Sequence, residues 1–275
     1  MDNQSLKIKA NEVRKGIVTA THSAKSGHPG GSLSAADMYT FLYFEEMNID
    51  PQNPLMEDRD RFVLSKGHTA PGLYSVMAQR GFFPVEELTT LRKVGSRLQG
   101  HPSMHYLPGI DMSSGSLGQG ISVACGMAKG AKMMNKDFRV YTLLGDGEIE
   151  EGEVWEAAMF AGAKKLDNLV VIVDNNNLQI DGEISEVNNP YPIDKKFEAF
   201  NFHVINIDGH DFDQIRAAFR EAREVKDMPT AIIMKTVKGK GVSFMENQAG
   251  WHGTAPNDEQ YKIAMEDLER IGESI

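Results

Sequence analysis

Two clusters of Asp and Asn at the ends of apolar runs carry the strongest chemical signal in the chain. Residues 140–144 lead straight into Gly145-Asp146-Gly147, and residues 169–173 lead straight into Asp174-Asn175-Asn176-Asn177. Asp146 and Asn176 are 30 positions apart, the length of one strand–helix–strand unit, so both fall at the carboxyl ends of neighbouring strands. A carboxylate and an amide oxygen placed in this way can share an octahedral Mg²⁺, a hard ion that takes oxygen ligands at about 2.0 to 2.1 Å. Gly145 and Gly147 let the main chain turn sharply and approach a ligand. Alone, the Gly-Asp-Gly tripeptide reads as an ordinary strand-end turn. The pair at this spacing is what lifts it above that reading.

Histidines supply the second signal. Of the eight, His28, His68, His101 and His252 adjoin glycine in loop-like contexts. A neutral imidazole there can take a proton from a hydroxyl and return one near pH 7. Any one loop histidine is more often simply solvated, and their spacing fits no zinc template. His22, His105, His203 and His210 read as solvated or hydrogen-bonding side chains, although His210 sits in an unusual Asp-Gly-His-Asp context. The glycines of Gly115-Ser116-Leu117-Gly118-Gln119-Gly120 run Gly-x-x-Gly-x-Gly, not the dinucleotide order Gly-x-Gly-x-x-Gly. No strand clearly precedes them and no Walker-type loop occurs, so nucleotide binding is disfavoured. Glu148, Glu150, Glu151 and Glu153 read as acids in a helix first turn. Lys235, Lys238 and Lys240 read singly as solvated loop cations that could help an anion approach. Cys125 reads as an inert buried thiol.

These residues need a scaffold, and the pattern supplies one. Strand-like runs at 139–144, 169–173, 203–207 and 231–237 alternate with helical stretches at 153–164, 194–200 and 213–225, before a last helix at 258–271. Near-continuous apolar strands separated by helices predict an α/β fold, a mostly parallel sheet with helices on both faces. Its ligand crevice should lie at the carboxyl ends of the strands. The first half predicts helices at 6–23, 34–44, 71–79 and 118–134 among longer loops. With no repeat, low-complexity block or linker, residues 1–275 read as one domain.

Composition sets the outer bounds. The chain has 275 residues, 41% of them hydrophobic, enough for a sizeable core. A net charge of −10 and a pI near 5.3 exclude a broad basic surface for nucleic acid. An anionic ligand would be held locally, by backbone donors, histidines or a metal. The first ten residues lack the apolar segment of a signal peptide, and no run approaches the roughly 18 to 20 apolar residues of a membrane span. The chain therefore reads as soluble and cytoplasmic. Fifteen methionines are many; Met127, Met133, Met134 and Met159 read as core gap-fillers.

Taken in order, these motifs resemble a known family. Gly-Asp-Gly followed by about thirty residues and an Asn-Asn pair marks thiamine diphosphate enzymes. Ser26-Gly27-His28-Pro29-Gly30, Lys66-Gly67-His68, Gly100-His101-Pro102, the Gly115 to Gly120 loop, Ile207-Asp208-Gly209-His210-Asp211 and Trp251-His252-Gly253 resemble transketolase, in that family's order. The resemblance covers only the amino-terminal, diphosphate-binding part of a full-length enzyme. It implies the amino-terminal subunit of a split transketolase, nearly inert alone, with a carboxy-terminal subunit supplying the pyrimidine-binding domain in an α2β2 heterotetramer.

By the same resemblance, the cofactors are thiamine diphosphate and Mg²⁺, with Ca²⁺ or Mn²⁺ as substitutes. A two-carbon glycolaldehyde unit passes from a ketose phosphate to an aldose phosphate, as in pentose phosphate metabolism, with the cofactor supplying the carbon nucleophile. His28 and His252 correspond to residues beside the ketose C3 hydroxyl, His101 to one by the C1 hydroxyl, and His68 to one against the diphosphate. Gly115, Ser116 and Leu117 belong to a loop that touches the cofactor, and Ser116 stands where many transketolases have proline, removing a fixed φ. Gly145, Asp146, Gly147, Asn176, Leu178 and His252 also face the cofactor. Asp146, Asn176 and the main-chain oxygen of Leu178 would hold the metal, while Glu151 would meet the partner's pyrimidine-binding glutamate. Three alternatives remain: a 2-oxo-acid dehydrogenase α chain, which lacks this histidine set, a split transketolase for a branched or sulfonated sugar, and a noncatalytic cofactor-binding module.

Overall fold

A computed structural model describes all of residues 1–275. In chain order the strands are β1 (Arg61–Leu64), β2 (Val140–Gly145), β3 (Leu169–Asn175), β4 (Leu178–Gln179), β5 (Gly182–Glu183), β6 (His203–Asp208) and β7 (Thr230–Lys235). The helices are α1 (Asn3–Ala24), α2 (Pro29–Ser34), α3 (Ala36–Phe41), α4 (Ala70–Arg80), α5 (Gln119–Met133), α6 (Gly152–Ala163), α7 (Ile184–Val187), α8 (Ile193–Ala199), α9 (Phe212–Glu224) and α10 (Asp258–Ser274). Five strands form one sheet in the order β1-β2-β3-β7-β6, every neighbouring pair parallel. Strands β4 and β5 form a small antiparallel hairpin beside it.

Alternation along the central strands explains the two layers of helices. Tyr141, Leu143, Val170, Ile172, Ile232 and Met234 face a core built with α1, α3, α4, α9 and α10. Val140, Leu144, Leu169, Val171, Val173, Ala231 and Ile233 face a second core built with α5, α6 and α8. Both faces are apolar because both are covered, as parallel sheets require. Truncating a fully buried residue such as Ile172 to alanine should cost about 2–5 kcal/mol.

The structure departs from the sequence reading where burial, not pattern, decides. Strand β1 escapes that reading, being four residues that begin with Arg61 at the sheet edge. The helix expected at 34–44 is instead α2, opened by Pro29 at its first turn, then α3 after a break at Ala35, and a π-helical turn Leu42–Glu46. The strand expected to run to residue 237 leaves the ladder at Lys235, and the next three residues turn toward the carboxyl edge of the sheet. Met133, Met134 and Met159 are exposed on α5, α6 and their margins, so they are not core gap-fillers; Met127 packs partly against the second core. No helix is long and apolar enough to cross a membrane.

Candidate active site

Four adjacent strands deliver side chains to one cavity of about 300 Å³ at their carboxyl ends. Strand β1 leads to Lys66 and His68, β2 to Asp146 and Glu148, β3 to Asn176 and Leu178, and β7 to Lys238. Strand ends of a parallel sheet are where its crevice opens.

Beneath the cavity lies a carboxylate that no solvent reaches. Asp174, 0% exposed, is paired with Lys66 and accepts hydrogen bonds from Ser34 Oγ (2.6 Å), Asn176 Nδ2 (3.2 Å) and Thr236 Oγ1. Burial opposes its charge, but the Lys66 ammonium and these donors hold its carboxyl below the usual range. Through Asn176 the pair orients the amide expected to bind metal. Glu148 is also buried and pins the loops at the cavity by accepting from Ser65 Oγ (2.5 Å), Gly118 N (2.9 Å) and Gly145 N (2.9 Å).

Gly118 has φ 81°, and a side chain there would meet the Glu151 Cβ at 2.9 Å. The chain turns at Asp146-Gly147 as expected, although neither Gly145 nor Gly147 needs a positive φ to do so. Gly147 has an ordinary helical φ of −73°, and its value is space, since a Cβ would press within 3.0 Å of Gln179.

Two ammoniums and three imidazoles line the cavity. Lys238 is 1% exposed with no carboxylate partner; its Nζ donates to the Leu178 main-chain oxygen (2.9 Å) and to His252 Nδ1 (2.9 Å). Burial, then the nearby Lys66 charge, pulls it down to about 8. An unpaired buried cation at a cavity wall is suited to an anion. The rings of His28, His68 and His252 stand 5.0 to 5.5 Å apart, centre to centre. Burial brings His28 down to about 4, helped by Arg92, His101 and Lys238, and His252 down to about 3, helped by Lys238 and His28. Burial likewise holds His68 well below the usual range. All three are neutral at pH 7. His28 Nδ1 is buried without a hydrogen-bond partner, an open acceptor or donor.

The residues present fit both a diphosphate and a hard metal ion. Asp146 is buried; burial and the Asp174 charge push its carboxyl up to about 6, a carboxylate short of positive charge. Its Oδ1 accepts from Gly147 N (2.9 Å) and its Oδ2 from Asn177 N (2.5 Å) and Asn175 Nδ2 (3.1 Å). No group of three or more His, Cys, Asp and Glu side chains is arranged to hold a metal ion by itself. One carboxylate supplemented by amide and main-chain oxygens suits Mg²⁺ with ligand phosphates, not a closed zinc site.

Of the residues singled out from sequence, His28, His68, Gly115, Leu117, Gly145, Asp146, Gly147, Asn176, Leu178 and His252 line this cavity together. His101 does not; it lies exposed at the rim against Gly115, lowered by burial and then by the Arg92 charge. Ser116 and Glu151 are exposed outside the cavity, Glu151 just ahead of α6 against Gly118. Lys66, Asp174, Glu148 and Lys238 do not stand out as site residues from pattern alone, because buried charges look like surface charges in a sequence. His22 stacks on Tyr261 and pairs with Asp258, and His203 pairs with Glu221, so both are half-buried hydrogen-bonding residues outside the cavity.

Residues 5–269 match the family described as transketolase, thiamine diphosphate binding domain. The chain belongs to that family. It is 45% identical over 267 residues to the 6-deoxy-6-sulfo-D-fructose transketolase subunit of Clostridium sp. (strain MSTE9), covering 97% of each chain. It is 42% identical over 272 residues to an apulose-4-phosphate transketolase subunit of Phocaeicola vulgatus, covering 98% of this chain and 96% of that one. Among solved structures, the transketolase of Campylobacter jejuni superposes with a TM-score of 0.92 at 35% identity, over 98% of this chain. This chain spans 43% of the length of that transketolase. The cavity described above is thus that of a transketolase thiamine diphosphate-binding domain.

Proposed function

We propose that this chain acts, as one domain, as the amino-terminal subunit of a two-polypeptide transketolase that uses thiamine diphosphate and Mg²⁺ to move a glycolaldehyde unit from a ketose phosphate to an aldose phosphate. The observation that carries the reading is the cavity itself, where two buried ammoniums, three neutral histidines and the oxygens of Asp146, Asn176 and Leu178 meet at four strand ends. When bound, thiamine diphosphate supplies the carbon nucleophile that the protein lacks. Lys238 and His68 bind its diphosphate, and Asp146, Asn176 and the Leu178 oxygen hold the metal that neutralises it. Gly115 and Leu117 in the cavity wall, with Ser116 between them, would border the cofactor, and the Leu178 side chain would face its thiazolium ring.

The two histidines at the sugar play unlike parts. Lys238 donates to His252 Nδ1, so the His252 proton sits on Nε2 and its free edge donates to a sugar oxygen. His28 lines the cavity with its ring 5.5 Å from that of His252, placed to take the C3 hydroxyl proton as the C2–C3 bond breaks. His101 holds the C1 hydroxyl from the rim, and Glu151 waits at the exposed edge for a glutamate of the partner.

Support for a separate partner comes from two sides. The relatives matched along nearly their whole length are named as transketolase subunits. Val123, Met159 and Phe160 lie bare on α5 and α6, which pack side by side, and Leu117 and Ile180 are bare at the cavity mouth. Such apolar exposure suits a protein interface, here with the carboxy-terminal subunit in an α2β2 assembly in the cytoplasm. The named substrates of those relatives favour an unusual ketose, sulfonated or branched, as donor.

The test is a ketol-transfer assay with thiamine diphosphate and Mg²⁺, on the chain alone and mixed with the carboxy-terminal subunit. The donors are xylulose 5-phosphate, 6-deoxy-6-sulfofructose and apulose 4-phosphate. Turnover only in the mixture supports the split enzyme, and full turnover by the chain alone refutes it. Native mass of the mixture decides the stoichiometry.

A further inference from the structure

His210 belongs to a family motif yet has no place in the cavity or at its rim, and it stands between a buried ion pair and the segment that carries Lys238. Its Nδ1 is 2.7 Å from Asp37 Oδ2, and its Nε2 accepts the main-chain N–H of Val237 at 2.9 Å. Asp37 is itself held by both nitrogens of Arg14, at 3.1 and 2.5 Å. An imidazole nitrogen that accepts an N–H carries no proton, so Nδ1 holds the ring's single hydrogen and donates it to Asp37.

The surrounding tetrapeptide is shaped for this contact. The Gly209 N–H donates to the Lys235 oxygen (2.8 Å), and a Cβ at Gly209 would fall 2.6 Å from Thr236 Cγ2. Only glycine lets the exit of β6 lie flat on the exit of β7. Asp208 Oδ1 accepts the His210 N–H (2.9 Å), and Asp211 caps α9 by accepting from Asp213 and Gln214. Each member of Asp208-Gly209-His210-Asp211 therefore aims or anchors the ring.

We propose that His210 is a positioning residue: held by Asp37 in the Nδ1–H tautomer, it fixes the Val237 N–H and so sets Lys238 between the Leu178 oxygen and His252 in the diphosphate pocket. Without that acceptor the Val237 N–H, which has left the sheet ladder, loses its partner and the turn is free to shift. This rests on the proposed cofactor site for its functional consequence, but the tautomer and the hydrogen bond stand apart from it.

Two experiments test the proposal. Long-range proton–nitrogen NMR on the full chain should show His210 protonated at Nδ1 only; protonation at Nε2 overturns the proposal. Thiamine diphosphate affinity is then measured by calorimetry on the assembled enzyme with Mg²⁺. A glutamine oxygen reaches the place of Nε2, whereas an asparagine amide reaches only that of Nδ1. His210→Gln should stay within about threefold of the parent and His210→Asn should bind about tenfold more weakly. A role confined to packing against Asp37 gives the opposite order and overturns the proposal. In a Lys238→Met background the His210→Asn loss should shrink to within about twofold, and full additivity also overturns it. If the parent enzyme binds no thiamine diphosphate, the proposed function fails while the tautomer measurement still decides for or against His210.

Discussion

The Lys238 ammonium lies 2.9 Å from His252 Nδ1, so a cation at the cavity wall dictates which edge of a cavity-lining imidazole carries its hydrogen. The contact couples anion binding to the orientation of a proton donor. Lys238→Met should remove both, lowering thiamine diphosphate affinity of the assembled enzyme about 10- to 100-fold while leaving the thermal midpoint within a few degrees. Calorimetry beside a thermal melt checks it; unchanged affinity removes Lys238 from the cofactor site.

Asp146→Ala should abolish the magnesium dependence of cofactor binding. A titration of Mg²⁺ at fixed thiamine diphosphate reads this without any turnover. A variant that still binds the cofactor in a magnesium-dependent way assigns the metal to other ligands.

Acidification should weaken the cofactor-free protein through its buried imidazoles, an effect that Asp146, at about 6, opposes only in part. His28 and His252 sit at about 4 and about 3, held down first by burial, while the unfolded chain takes up protons near 6.5. Between those values the unfolded state binds more protons, so stability falls as pH drops through 6.5 toward 4. Denaturant melts at pH 7.5, 6 and 5 should show the midpoint declining, and His28→Asn should flatten the decline. A midpoint independent of pH in this range contradicts the buried neutral histidines.

A second acid transition belongs to Asp37. Burial alone would raise its carboxyl, but the Arg14 charge and the His210 hydrogen bond outweigh it and hold the group at about 2. Its stabilisation is complete above the ordinary value of 3.8 and is lost as pH falls toward 2, amounting to roughly 2 kcal/mol. Asp37→Asn should be destabilised at pH 7, and its deficit against the parent should narrow between pH 4 and pH 2. A constant deficit across that interval would mean that Asp37 does not titrate with folding.

The scaffold is legible wherever one kind of residue runs long enough. The β-branched run before Asp174 declares β3, and the spacing of Phe212, Ile215, Ala218, Phe219 and Ala222 declares α9. The pair proposed to bind metal is legible because strand ends fix where Asp146 and Asn176 must lie. Short edge strand β1 is not, since four residues starting with an arginine carry no period. Lys66, Asp174 and Lys238 are hidden for another reason: their burial is made by chain segments far apart in sequence. The four clustered glutamates show the same limit from the other side, for Glu148 is enclosed and Glu151 faces outward, three positions apart on a turn whose geometry the sequence does not state.

Asp174 gathers Ser34, Lys66 and Thr236, partners separated from it by 140, 108 and 62 residues. Contacts of such span form only after the loops between them have closed, which places them late in folding. A chain emerging from the ribosome lacks Thr236 and Lys238 until the great majority of it has been made. In the proposed site, cofactor capture would therefore wait until these long loops have closed, and a loaded molecule would be one whose four strand ends have already met.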